Sequence, residues 1–173
     1  IINFGEENYL HLGHLIRGEI ISIYNKFIYN SNAQITTTFN NFYINNNLIQ
    51  GKMQLKNNGS NQNGFQEFAL TVDSMSMYTN NGSIDISSGN YIKELVSGNN
   101  TQYQYLDNIY KLTGNALGNS SNNNNFSIKI SDSLNINLSC FESSSCVITG
   151  GTSKLIPDGY EERIIDYGDN TCD

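Results

Sequence analysis

Residues 126–138, FSIKISDSLNINL, decide the fold class of this chain. Within them, Phe126 to Ile130 and Leu134 to Leu138 each alternate apolar and polar side chains without a break. A period of two is typical of a β-strand with one wet face, because successive side chains of a strand point to opposite sides. The stretch therefore predicts strand structure rather than a helix.

The same alternation recurs along the rest of the chain, between turns rich in Asn and Gly. Residues 16–27 alternate with a phase break at Ile20 and Ile21, which suits a bulge or a change of sheet face. Asn45–Asn47 and the Asn58-Gly59 pair favour the positive φ angles of tight turns. About a dozen short strands and no convincing helix predict a single all-β domain over residues 1–173. We expect an antiparallel meander, as a sandwich or a curled open sheet, with a closed barrel as the alternative.

Composition excludes several classes of function. The 173 residues include 9 Lys and Arg against 16 Asp and Glu, a net charge of -7, and only 14% are charged. No basic stretch could neutralise a phosphate backbone, so nucleic acid is not an expected partner. No apolar run approaches the ~20 residues that a membrane-spanning helix needs. Heavy use of Asn, 29 residues, fits turns between strands.

The acidic C-terminal stretch offers a candidate metal site. Asp166, Asp169 and Asp173 present hard oxygens of the kind that Ca²⁺ prefers, although their spacing does not match an EF-hand loop. The alternative is that these side chains cap backbone N–H groups in Asx turns. No other cofactor is expected.

Tyrosines offer a candidate glycan surface. Tyr103 and Tyr105 would place both rings on one face of a strand and form a platform for sugar stacking. The alternative is that the tyrosines are half-buried strand residues, which sheets favour.

Catalytic patterns are weak. His11 and His14 have no third ligand nearby in sequence, and no Gly-x-Ser-x-Gly elbow or phosphate-binding loop occurs. Paired carboxylates such as Glu161 with Asp166 can be nominated, but nothing singles one pair out. We therefore expect a protein that is not an enzyme.

The two ends of the chain contain similar segments, and the three cysteines lie in its last fifth. Residues 1–6, IINFGE, resemble residues 164–169, IIDYGD, either by chance or as a repeated strand–turn element. Cys140, Cys146 and Cys172 allow one disulfide with a spare thiol, or three reduced thiols. Because the chain opens abruptly on a strand, we expect it to be a segment of a longer protein.

Several junctions, taken together, resemble an uncharacterised group of secreted proteins and outer-membrane lipoproteins of Bacteroidota. The resemblance covers nearly the whole chain in order, and its most specific part is a closing Asp-Tyr-Gly-Asp-Gly-x-Cys-Asp motif. Here Asn170 replaces the usual Gly, and Cys146 lies in an apparent insertion. The matched segments are 17–21 (RGEII), 39–45 (FNNFYIN), 48–51 (LIQG), 113–118 (TGNALG), 138–140 (LSC) and 166–173 (DYGDNTCD).

The resemblance implies export and a lipid anchor upstream of Ile1, so that membrane contact is made only through the anchor. The group's usual Cys after the first Phe-Gly turn is absent here, which leaves Cys140 paired with Cys172 or with Cys146. We take Cys140–Cys172 as the working hypothesis. The triplets at Ser74 and Ser133 resemble the Asp-Ser/Thr-aliphatic O-glycosylation signal of these bacteria.

The resulting expectation is a non-enzymatic, exported surface domain that makes protein–protein contacts as an accessory lipoprotein of an outer-membrane assembly. The alternatives are a carbohydrate-binding module and an unrecognised hydrolase.

Overall fold

A computed structural model describes residues 1–11, 13–98, 101, 104–142 and 146–172. They form eleven strands and two 3-10 turns, Tyr105–Asp107 and Leu138–Glu142. Neither turn has the length or apolar character of a membrane-crossing helix, and none occurs elsewhere in the described ranges. The strands are β1 (Ile2–Asn3), β2 (Tyr9–His11), β3 (His14–Tyr24), β4 (Gln34–Ile44), β5 (Asn47–Ser60), β6 (Gln66–Thr79), β7 (Gly82–Ser97), β8 (Ile109–Ser120), β9 (Asn125–Asn137), β10 (Ile148–Pro157) and β11 (Arg163–Asp169).

All eleven strands belong to one antiparallel sheet. The order is β1-β3-β4-β5-β6-β7-β8-β9-β10-β11, and β2 pairs with β3 at the first edge. The two ends of this order do not join, so the sheet is open. The predicted all-β meander is confirmed, in its curled open-sheet form rather than as a sandwich or a closed barrel.

The strands are longer than predicted. Segments 83–86 and 91–96 belong to the single strand β7, and the two alternating parts of 126–138 lie almost wholly within β9. The predicted bulge at Ile20 and Ile21 is also misplaced, because both residues pair regularly with β4 and the register shift lies at Gly18. A bulge adds one residue and shifts the alternation while the strand continues, so a break in alternation does not mark a strand end.

A glycine bulge recurs in three strand pairs and bends the sheet. In each pair a glycine with positive φ lies against a backbone carbonyl of the neighbouring strand, where a Cβ would have no room. Bulges of this kind increase local twist and strand bending, which explains the curl. The pairs are Gly18 with Asn41, Gly51 with Ser74, and Gly151 with Ser133. Gly114 also lies against a carbonyl, that of Asn90 on β7, but its register shift is with β9.

The core lies on one face of the sheet and at one end. Phe68, Leu95 and Tyr110 are buried there, and Ile28 and Leu138 pack on them from the β3–β4 loop and the second 3-10 turn. The same loop is fixed by Asn57, whose fully buried amide donates to the Ile28 carbonyl (2.7 Å). Loops therefore cover the apolar face at this end.

Candidate functional site

The other end of the apolar face forms an open groove of about 400 Å³. Strand pairing places Phe126 opposite Pro157 and Ile128 opposite Leu155. Gly118 on β8 leaves the space that the Phe126 ring fills, since a Cβ at position 118 would lie 2.9 Å from Cε2 of that ring. This apolar groove is lined by Ile84, Ile86, Phe126, Ile128, Leu155, Pro157, Ile165 and Tyr167, with Ser120, Asn124, Asn125 and Ser153.

The apolar groove is accessible to a large partner. Ile84 is 43% exposed and Ile165 is 41% exposed, on two strands that lie four positions apart in the sheet. The accessible surface of the chain is 10580 Å², whereas a compact monomer of this mass exposes about 8,500 Å². The apolar face is therefore covered only in part. Concave, mainly apolar surfaces with a few polar groups are a common form of binding site.

Tyr167 connects the last strand to the middle of the sheet. Its hydroxyl lies 3.3 Å from Oγ of the buried Ser153. Burial, and secondarily the proximity of Tyr167, raise the pKa of Tyr91 on β7. Tyr167 therefore contributes to the electrostatic environment of Tyr91.

The covered end contains a polar network around Tyr110. Nδ2 of the buried Asn108 donates to the hydroxyl oxygens of Tyr110 (3.1 Å) and Tyr29 (3.4 Å), and the Lys93 ammonium lies 3.6 Å from the Tyr110 ring centroid. Burial lowers the pKa of Lys93 to about 8 and is the main cause that raises the pKa of Tyr110 to about 12. This network ties the β3–β4 loop to the sheet.

A second, polar pocket of about 410 Å³ lies at the first edge of the sheet. Glu19 on β3 lines this pocket and is held in place, because Asn3 donates to Oε1 (2.8 Å) and Asn40 donates to Oε2 (2.9 Å). Gly18, at the β3 bulge, is also in the lining, together with Gly5, Glu6, Arg17, Asn41 and Tyr43.

Arg17 is fixed beside Glu19 by neutral groups. Its Nη1 donates to Oδ1 of Asn8 (2.7 Å) and of Asn46 (3.0 Å), and its guanidinium lies 3.8 Å from the Tyr43 ring centroid. Among the residues that the structure describes, no carboxylate lies within salt-bridge distance of Arg17. The Arg17–Glu19 pocket thus presents a guanidinium and a carboxylate that form no ion pair with another described residue. Sequence reasoning missed this pocket.

The two similar segments, residues 1–6 and 164–169, lie at the two edges of the sheet. Oδ1 of Asn3 accepts from the Gly5 N–H (2.7 Å) at β1, and Oδ1 of Asp166 accepts from the Gly168 N–H (3.0 Å) at β11. β1 and β11 are the first and last strands in the sheet order. The two segments therefore form equivalent strand–turn elements at opposite edges, which favours the repeated-element interpretation.

The predicted calcium ligands make intrachain hydrogen bonds. Asp166 caps its own turn, and Oδ1 of Asp169 accepts from the Thr171 hydroxyl (2.7 Å), which lowers the pKa of Asp169. Asp173 lies outside the described residues. No group of three His, Cys, Asp or Glu side chains that could hold a metal occurs within the described ranges. Calcium binding at these residues stays a prediction.

The predicted tyrosine platform does not have the strand geometry on which it was based. Tyr105 is 61% exposed but lies in the first 3-10 turn, where successive side chains do not alternate between two faces. At the end of this turn, the Asp107 carboxylate accepts a hydrogen bond from the Thr101 hydroxyl (2.6 Å). Tyr103 lies outside the described residues, so the platform stays untested as a pair.

The predicted O-glycosylation triplets lie at glycine bulges. Ser74 has a φ of 55° opposite Gly51, is exposed and donates to Asp73 (3.3 Å), whereas Ser133 is half-buried opposite Gly151. Both triplets therefore have a structural role in bending the sheet. Modification of either serine stays a prediction.

The disulfide joins Cys140 to Cys172, with their Cα atoms 5.4 Å apart. It links the second 3-10 turn to the residues that follow β11, and Cys140 is completely buried. The third cysteine, Cys146, is exposed, and its thiol donates to the Ile148 carbonyl (3.3 Å). Of the two pairings left open by the resemblance, the structure contains the Cys140–Cys172 bond.

Comparison of the chain with protein-family models, with curated proteins and with solved structures gives no match.

Proposed function

We propose that this protein is a non-enzymatic, exported surface domain that works by protein–protein contact, as an accessory lipoprotein subunit of an outer-membrane assembly. The observation that carries the proposal is the apolar groove, which is open and lined mainly by apolar side chains. Burying such a surface against a partner is favourable by roughly 25 cal/mol per Å² of apolar area.

The shape of the sheet supports a macromolecular partner. The groove runs across β7 to β11, so a partner can contact five strands at once. Tyr160, which is 70% exposed, lies close in sequence to the groove residues of β11 and is proposed to extend the contact. Nucleic acid is not a proposed partner, because the chain carries a net charge of -7.

The proposed location rests on two separate observations. The Cys140–Cys172 bond is typical of proteins in oxidising compartments. The resemblance to exported lipoproteins supports an anchor upstream of Ile1, and this anchor is the proposed contact with the membrane.

The test is native capture followed by mass spectrometry. The tagged chain, expressed at its native level and extracted in mild detergent, is expected to co-purify with a membrane protein. The intact mass would also report a lipid anchor and glycans on Ser74 or Ser133. Isolation of the chain alone under these conditions would contradict the proposal.

A further inference from the structure

We propose that the Arg17–Glu19 pocket binds a sugar residue that carries a carboxylate, of the kind found in acidic polysaccharides. The proposal goes beyond protein–protein contact and concerns the opposite part of the sheet from the apolar groove.

The charged groups of the pocket are positioned but not neutralised. Arg17 is held by two amide oxygens and an aromatic ring, and Glu19 is held by two amide N–H groups. Neutral partners fix the geometry of both side chains and leave their full charges to a ligand. A salt bridge between Arg17 and Glu19 would instead have neutralised both charges.

The hydrogen-bonding groups match a carboxylated sugar. Within the described part of the chain, Arg17 donates only through Nη1, which leaves its other N–H groups to pair with a ligand carboxylate. Each Glu19 oxygen accepts one amide N–H and retains a lone pair for a sugar hydroxyl. The volume of about 410 Å³ lies in the range of about 300–1,000 Å³ found for small-molecule sites.

Backbone hydrogen bonds and ring packing hold the first edge of the pocket. Phe4 N–H donates to the Gly18 carbonyl (2.9 Å), and Gly18 N–H donates to the Gly5 carbonyl (2.8 Å), so that the β1 end is fixed to β3. The Phe4 ring packs on the buried Phe42 with centroids 5.9 Å apart. A preorganised site loses less conformational entropy on binding.

Charge favours a carboxylate over a phosphate. Glu6 and Glu19 both line the pocket with Arg17, so the local formal charge is negative. A dianionic phosphate would meet two carboxylates and one guanidinium, whereas a single carboxylate can pair with Arg17 while the sugar hydroxyls contact Glu19.

The experiment is an NMR titration of the full chain with trigalacturonate and, in parallel, with its methyl ester. We expect shifts of the Gly5, Gly18 and Arg17 signals with the free acid, and affinity reduced about tenfold or more for the ester.

Arg17→Gln should reduce affinity for the free acid by a similar factor. Arg163→Gln on β11, which removes the same charge at the far edge, should change it less than about twofold. Because Arg17→Gln could disturb the fold, Arg17→Lys provides a second variant that keeps the charge but loses the guanidinium fork.

Three results would overturn the proposal: no binding of trigalacturonate up to about 10 mM, equal affinity for the acid and its ester, or equal effects of Arg17→Gln and Arg163→Gln. Full binding by Arg17→Lys would also contradict the role of the guanidinium fork. None of these outcomes affects the contact proposed for the apolar groove, whose residues are left unchanged.

Discussion

Gly151 on β10 lies directly against the backbone carbonyl of Ser133 on β9, at a φ of 96°. The same relationship joins Gly18 to Asn41 near the first edge. The curl of the sheet depends on such contacts, since each bulge bends its strand pair.

Gly151→Ala should destabilise the chain strongly. Its Cβ would overlap the Ser133 carbonyl, and the positive φ adds strain, so we expect a loss of at least about 2 kcal/mol in the free energy of unfolding. Gly159→Ala is the matched control, because Gly159 has a φ of 78° with no atom within 4 Å of its added Cβ, and strain alone costs about 1–2 kcal/mol. Urea denaturation followed by circular dichroism measures both; equal losses would refute the steric argument.

Breaking the disulfide should reduce stability by about 3–4 kcal/mol, because Cys140 and Cys172 are 32 residues apart and the bond restricts the unfolded chain. Cys172→Ser leaves the buried Cys140 in place, and Cys146→Ser is the control, since a hydroxyl can still donate to the Ile148 carbonyl. Denaturation of both variants tests this. A loss under about 0.5 kcal/mol for Cys172→Ser would mean that the bond has no stabilising role.

The fold class followed from sequence, whereas the strand lengths did not. Alternation is local, so residues 126–130 predicted a strand without knowledge of their neighbours. The bulge at Ser133 depends on Gly151 of another strand, and only the register shows that β9 continues through it. From sequence, the triplet at Ser133 had suggested only O-glycosylation.

The sites were less predictable. In the sequence, Arg17 and Glu19 stood out only as part of the segment that resembles the family. The pocket exists because Asn3, Asn40 and Asn46, from three other segments, hold these two side chains in place. With 29 Asn in the chain, nothing local distinguishes these three. The disulfide was one of two pairings, since spacing alone cannot show which cysteine lies beside Cys140.

Stability should rise from about pH 8 to pH 10 and fall above it. Burial lowers the pKa of Lys93 from 10.5 to about 8. Between these two pH values the unfolded chain binds more protons than the folded chain, so a rise in pH favours folding. The expected gain in the free energy of unfolding is roughly 1–2 kcal/mol after allowance for partial exposure. Tyr110 has the opposite effect, because its pKa is raised from 10.0 to about 12 and the folded chain then binds more protons.

Urea denaturation across this pH range checks the titration of Lys93. Lys93→Met should remove the rise, whereas Lys111→Met, on the exposed face of β8, should keep it. A rise of the same size in both variants would show that Lys93 is not its source.

The most direct test of the contact proposed for the apolar groove compares two neighbouring residues of β11. Ile165 pairs with Ser153 and lines the groove, whereas Ile164 pairs with Lys154 on the opposite face and is 65% exposed. Native capture is repeated with Ile165→Asp and Ile164→Asp, after circular dichroism has shown that both variants fold. We predict that Ile165→Asp reduces the captured membrane partner about tenfold or more and that Ile164→Asp changes it less than about twofold. Equal capture by both folded variants would contradict the proposal that the groove is the contact surface.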